Sequence, residues 1–191
     1  VRLPLDYFCQ EDVVGLARDL IGRELHTSIG GVHTAGVITE SEAYRGPEDR
    51  ASHAYGGRRT QRTEVMFGPG GRSYVYLCYG IHHLFNIVTY CEGVPHAVLI
   101  RRLEPTCGTE GMAERRGLEA TSPRLCSGPG SLAKAMGITL DHTGLPLDGS
   151  LIWVEEGERA EKVVASPRIG IDYAGDDALL PWRFTGPSRS R

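Results

Sequence analysis

The chain has 191 residues, 40% of them apolar and 24% charged, with a net charge of −3. That length suits one compact domain, able to bury a core without metal or disulfide staples. No apolar run approaches the roughly 20 residues that span a bilayer. Five cysteines (Cys9, Cys78, Cys91, Cys107, Cys126) are odd in number, widely spaced and without a Cys-x-x-Cys pair. The seven histidines form neither His-Glu-x-x-His nor His-x-Glu. Zinc sites, a disulfide framework, and the zinc deaminase and zinc protease classes are set aside, and reduced thiols in the cytoplasm are expected. The sequence opens Val1-Arg2-Leu3-Pro4, with no initiator Met or signal-peptide pattern, so native residues are expected to precede it.

In chain order, Val13, Val14, Ala17, Leu20 and Ile21 fall at helical spacing and predict a helix over 11–21, stopped by Gly22. Ser28-Ile29-Gly30-Gly31 reads as a hairpin turn between strands at 23–27 and 33–44. Gly68-Pro69-Gly70-Gly71 is a tight turn, and β-rich runs at 72–79 and 81–90 form a hairpin around Gly80. A further strand over 95–103 is expected to end at Pro105. Short helices follow at 109–116 and 131–136, with a mobile loop at 117–123 between them. Strands at 151–154, 163–169 and 182–185 complete the chain. Strands outnumber helices and follow one another directly, which predicts a single α+β domain around a curved, mainly antiparallel sheet.

The overall charge hides an asymmetry. Residues 45–72 hold six arginines (45, 50, 58, 59, 62, 72) against three acids, whereas residues 141–180 hold nine acids against three basic residues. A basic face opposite an acidic one suits phosphate binding, since only the local field acts on a ligand. Solvated surface charge without a partner is the alternative.

Three segments carry possible chemistry. Alternation on a strand puts Glu40, Glu42 and Tyr44 on one face, two carboxylates and a ring side by side. A carboxylate can take a proton from water attacking a sugar carbon, while an exposed edge strand with solvated acids is the plain alternative. Tyr74 and Tyr76 share a face and Tyr79 sits at the hairpin tip, where a ring can wedge into a base stack; aromatic core filling is the alternative. One of Arg101 and Arg102 must point inward on an otherwise apolar strand and needs an acid or phosphate, Glu104 or Glu40 serving if the pairing is structural. His53 can orient water, stack on a base, or serve structure alone. Gly128-Pro129-Gly130 before a helix can turn amides toward an anion, but no GxxxxGK[ST] loop is present. Lys134 and Lys162 are the only lysines and lie outside these segments, which leaves a Schiff-base step without an obvious amine.

Taken in order, the segments resemble the 3-methyladenine (alkyladenine) DNA glycosylase family. The matching blocks are Glu40-Ser-Glu-Ala-Tyr-Arg-Gly-Pro-Glu-Asp49, Ala51-Ser-His53, Met66-Phe67, Tyr74-Val-Tyr-Leu-Cys-Tyr-Gly80 and Asn86. They continue with Val98-Leu-Ile-Arg-Arg-Leu-Glu-Pro105, Leu125-Cys-Ser-Gly-Pro129, Arg168-Ile-Gly170 and Pro181-Trp-Arg-Phe184. The resemblance implies that Glu42 is the general base for the water attacking C1′ of a flipped nucleotide and that Arg101 helps place that water. It implies a base pocket of Tyr44, His53, Tyr76 and Asn86, with Asn86 crowding the 2-amino group of guanine. Tyr79 would enter the vacated stack, with Ile81 and His82, at positions where family members vary, beside it. Arg58, Arg59 and Arg62 would hold phosphates.

The implied fold is one mixed domain over 1–191, an open-barrel-like curved antiparallel sheet with surrounding helices and a protruding β-hairpin; residues 185–191 are expected to be a flexible tail. The implied activity is monofunctional base excision in DNA repair, on double-stranded DNA with damaged purines of the 3-methyladenine, 7-methylguanine, hypoxanthine and ethenoadenine class. The enzyme would be a monomer without cofactor or metal, in the cytoplasm of a bacterium and nucleoid-associated. Two rivals stand: a non-catalytic damage- or RNA-binding module, and a carbohydrate hydrolase using Glu40 and Glu42 as its acid pair.

Overall fold

A computed structural model describes residues 1–187. The first helix, α1 (Val13–Asp19), begins where the Asp12 carboxylate accepts the Gly15 amide at 2.8 Å. Such a cap is worth about 1 kcal/mol. Val13, Leu16 and Ala17 bury one face of α1, and Leu20 and Ile21 continue that stripe past its end. The helix is shorter than 11–21 because Glu11 and Asp12 serve as entry and cap.

Strands β1 (Glu24–Ile29) and β2 (Val32–Arg45) are joined by Gly30 and Gly31, both at positive φ. Two such residues in succession make the tight turn that matches strand twist. β3 (Arg72–Cys78) and β4 (His82–Thr89) form the protruding hairpin, and β5 (His96–Cys107) pairs with β4 and β2. β5 does not stop before Pro105: Pro105 pairs opposite Gly36 beside a register shift, where its missing N–H is tolerated. Helices α2 (Thr109–Arg116) and α3 (Pro129–Met136) follow, the latter opening on a proline in its first turn as that position allows.

β6 (Ile152–Glu155) pairs with β1, and short strands β7 (Val164–Ser166) and β8 (Arg183–Thr185) pair with each other. The sheet runs β3-β4-β5-β2-β1-β6 with antiparallel neighbours throughout, curled into a half-barrel. β8 adds to β2 at Glu40–Glu42, beyond the stretch that β1 covers, so β2 has partners on both edges. Of the tail expected over 185–191, Thr185 ends β8 and the Gly186 amide donates to the Thr39 carbonyl. Residues 188–191 lie outside the described residues.

The main core packs α1, α2 and α3 against the sheet through Leu16, Leu20, Phe85, Ile100, Met112 and Leu132, among others. Separate clusters form under the segment linking β2 to β3. Met66, Phe67 and Tyr74 make one, and Ala51, Ile171 and Ala174, with Tyr44 against them, make another.

Candidate active site

Glu42 sits in mid-strand on β2, paired with Leu99 of β5 and Arg183 of β8, and is wholly buried. This corrects the edge-strand alternative, because an acid on an interior strand must be served by protein donors rather than water. The Tyr44 hydroxyl donates to Oε2 at 2.7 Å, and the Ile169 amide donates to Oε1 at 2.8 Å. Arg101 Nη1 lies 3.5 Å from the same Oε1. Burial, then the adjacent Glu42 charge, pushes the Tyr44 phenol well above its ordinary range, so it remains a donor.

Arg101 is the inward-pointing member of its pair, and its structural partner is Glu40 rather than Glu104: Nε donates to Glu40 Oε1 at 3.1 Å. Arg183 Nη1 donates to the same oxygen, also at 3.1 Å. Glu40 is thus shared by two guanidinium groups and tied through Arg101 to Glu42. With its oxygen already taken by two guanidinium groups, Glu40 is a poor second acid, which counts against a Glu40–Glu42 glycosidase pair.

The aromatic residues gather on β3 and on the segment that links β2 to β3. Tyr74 and Tyr76 have ring centroids 5.6 Å apart, and His53 meets Tyr76 edge-on at 4.6 Å. His53 Nδ1 lies 2.9 Å from the Tyr74 hydroxyl. Burial first, then the charges of Arg62 and Arg58, lowers the His53 pKa to about 4. Tyr74 is pushed up by burial to about 12, and Tyr76 is raised mainly by burial as well. At neutral pH these walls are uncharged. Asn86, buried on β4 opposite Tyr74, donates from Nδ2 to the Tyr74 carbonyl at 3.1 Å, which orients its amide.

At the hairpin tip Tyr79 is 92% exposed and Ile81 70%, with His82 also exposed. Tyr79 has φ 51, an uncommon left-handed conformation for a non-glycine residue. The arginine cluster is not uniform. Arg58 and Arg62 are exposed, whereas Arg59 makes a two-point contact with Glu64 at 2.8 and 2.6 Å and lies over Phe67. A cavity of about 1180 Å³ lies elsewhere, between the flank of the hairpin and α2 and α3. Its lining includes none of Glu42, Tyr44, Tyr76 or Arg101.

Four supporting residues were given no role from the sequence. Arg168 is buried, grips both oxygens of buried Asp49, donates to the Ala43 carbonyl at 2.9 Å, and lies between the Tyr44 and Trp182 rings. Asp49 also accepts the Arg45 and Ala51 amides, so the pair fixes the chain on both sides of Tyr44. Ile169 contributes only its backbone, which no side-chain pattern reveals. Arg183 reaches Glu40 from the last strand. Pro167-Arg-Ile-Gly170, with Gly170 at positive φ, is the one local signal for this segment.

Among the described residues there is no group of three His, Cys, Asp or Glu side chains able to hold a metal ion, and no helix long and apolar enough to cross a membrane. The chain is 45% identical over 184 residues to a Chlamydia felis protein provisionally named 3-methyladenine DNA glycosylase, covering 95% of this chain and 94% of that one. A Bacillus cereus protein of the same provisional name is 45% identical over 188 residues, covering 93% and 92%. Residues 7–189 match the model of the methylpurine-DNA glycosylase family. With nearly its whole length matched, this chain belongs to that family of DNA-repair hydrolases.

Proposed function

We propose that the protein is a monofunctional DNA glycosylase that removes damaged purines from double-stranded DNA, with Glu42 activating the attacking water. The observation that carries this reading is the buried Glu42 carboxylate, held by Tyr44, Ile169 and Arg101 beside an uncharged ring pocket. Arg58 and Arg62 hold phosphates at the pocket rim without reading sequence; their influence on His53 places their charge close to it. Tyr79, flanked by Ile81 and His82, fills the stack from which the lesion has rotated.

The purine then lies against Tyr44, Tyr76 and His53. A positively charged 3-methyladenine or 7-methylguanine stacks well on neutral rings and meets no repelling charge from an unprotonated His53. Asn86, its amide fixed by Tyr74, stands against the 2-amino group of normal guanine. Glu42 takes the proton as water oxygen bonds to C1′, the N-glycosidic bond breaks, and the purine leaves with the bonding electrons. An alkylated cation departs neutral without an acid. Hypoxanthine and ethenoadenine are proposed as further substrates of the same pocket. The relatives' names, which specify 3-methyladenine, support the alkylated class first. Action as a monomer, in the cytoplasm on nucleoid DNA, completes the proposal.

Measuring 3-methyladenine release from a defined duplex tests the enzyme and its base together. Glu42→Gln is expected to lower the single-turnover rate by about 10²- to 10⁴-fold while duplex affinity is retained. No release by the wild type would make the protein a non-catalytic damage-binding module, and undiminished release by the variant would remove Glu42 from its role. Neither lysine belongs to the pocket, so borohydride added during turnover is expected to trap no protein–DNA adduct.

A further inference from the structure

On β1, β2 and β5, far from Glu42, Glu24, His26, His33 and Cys107 lie in a row that ends at an exposed thiol. His26 is more than nine-tenths buried, and its Nε2, without a hydrogen-bond partner, faces the carboxylates of Glu24 at 3.4 Å and Glu155 at 4.0 Å. Its Nδ1 lies 3.2 Å from Nε2 of His33, and Nδ1 of His33 lies 3.7 Å from Sγ of Cys107. Trp153 lies parallel to both imidazoles, at 5.2 and 5.6 Å between centroids, and its indole N–H donates to Glu155 at 2.7 Å.

The carboxylate end favours one tautomer. Carboxylates only accept, so we assign the His26 ring proton to Nε2, the nitrogen that faces them. His26 Nδ1 is then an acceptor and takes the Nε2–H of His33. That leaves His33 Nδ1 as a bare acceptor aimed at Cys107. Burial, the largest influence on His26, lowers its pKa and so disfavours a proton on that second ring. The approach is held by the backbone as well: Gly108 follows Cys107 at φ 72, and a Cβ there would sit 2.2 Å from the His33 carbonyl oxygen.

We propose that Cys107 is a nucleophilic thiol that forms mixed disulfides with low-molecular-weight disulfides, activated by His33 with His26 and Glu24 as its orienting relay. The Sγ proton passes to His33 Nδ1, and the thiolate attacks one sulfur of the disulfide. An Sγ–S bond forms, the S–S bond of the small disulfide breaks, and the departing thiolate recovers the proton from His33 and leaves as a thiol. One thiol and one disulfide become another thiol and another disulfide, with no outside oxidant. His33 lies nine residues before Glu42 on β2, roughly 30 Å away along the strand, so the thiol is a site separate from the proposed base-excision pocket.

Two other exposed cysteines are internal standards: Cys9, whose Sγ contacts the Leu5 carbonyl, and Cys91, beside Tyr90. The intact protein is exposed to oxidised glutathione for increasing times, quenched with an alkylating reagent, and each cysteine read by peptide mass spectrometry. Cys107 is expected to gain glutathione at least about ten times faster than Cys9 and Cys91. His33→Gln should bring it to their rate, and His26→Gln should slow it while His33 remains. Buried Cys126 reports folding by staying unmodified. Equal rates for the three exposed cysteines in the wild type would overturn the proposal, and so would a Cys107 rate unchanged in a folded His33→Gln protein. Should His33→Gln expose Cys126, the wild-type comparison and His26→Gln decide.

Discussion

His53 is held neutral by a low-dielectric site and by two arginines, and this has a consequence for stability as well as for the pocket. Its pKa falls from an ordinary 6.5 to about 4 on folding. Between these values the unfolded chain binds the proton and the folded one does not, so stability is full above about 6.5 and declines as pH falls toward 4. His26 and His96, also lowered mainly by burial, add to the same trend. Thermal melts across this window should therefore show a smaller acid-induced drop in Tm for His53→Gln than for the wild type. Identical slopes would mean that His53 is not the neutral ring described.

Single residues also mark the limit of sequence reading. Strand alternation put Glu42 and Tyr44 on one face and turned one of Arg101 and Arg102 inward, because these are local properties; the choice of Arg101 and the roles expected of all three came from the family resemblance. Ile169 was not legible, because its contribution is an amide. Arg168 and Asp49 lay within matched blocks, yet their pairing spans 119 positions, and no periodicity encodes a contact so distant.

At the scale of elements, the β3–β4 hairpin carries its proposed function and its strain at one point. Tyr79 adopts a left-handed conformation while almost wholly exposed, so neither backbone preference nor burial accounts for its side chain. Tyr79→Gly should raise unfolding stability by about 1 kcal/mol through relief of that conformation. The same variant should lower base release from duplex by on the order of ten-fold or more, since the unstacked site loses its filler. Urea unfolding and single-turnover release on one preparation test both signs. The hairpin, the β1–β2 turn and the two later helices could be placed from glycine and periodicity alone. β5 was foreshortened because a proline at a bulge looks in sequence like a proline after a strand. The pairing of β8 with β2 was invisible, since three residues carry too little pattern to choose a partner.

For the whole molecule, a net charge of −3 coexists with a basic rim supplied by a short segment. Duplex affinity should consequently depend on few phosphates. The slope of log affinity against log salt should fall by about 1 for Arg62→Ala and again for Arg58→Ala. Arg59→Ala should change it less, because Glu64 already occupies that guanidinium. Equal changes for all three would show that the Arg59–Glu64 contact opens on DNA.

The two-part partnership of β2 has a further effect, on the order in which the protein becomes complete. The first half of β2 can pair with β1 as soon as the chain has passed residue 37, but the stretch bearing Glu40 and Glu42 meets β8 only after residue 185 has been made. Arg183 and Glu40 are 143 positions apart, and Ile169 and Glu42 are 127 apart. Contacts of such separation close slowly. A ribosome-bound chain stopped before Pro167 can contain Glu42, Tyr44 and Arg101 and still lack the donors from Ile169 and Arg183, so competence at this site belongs to the final stage of synthesis.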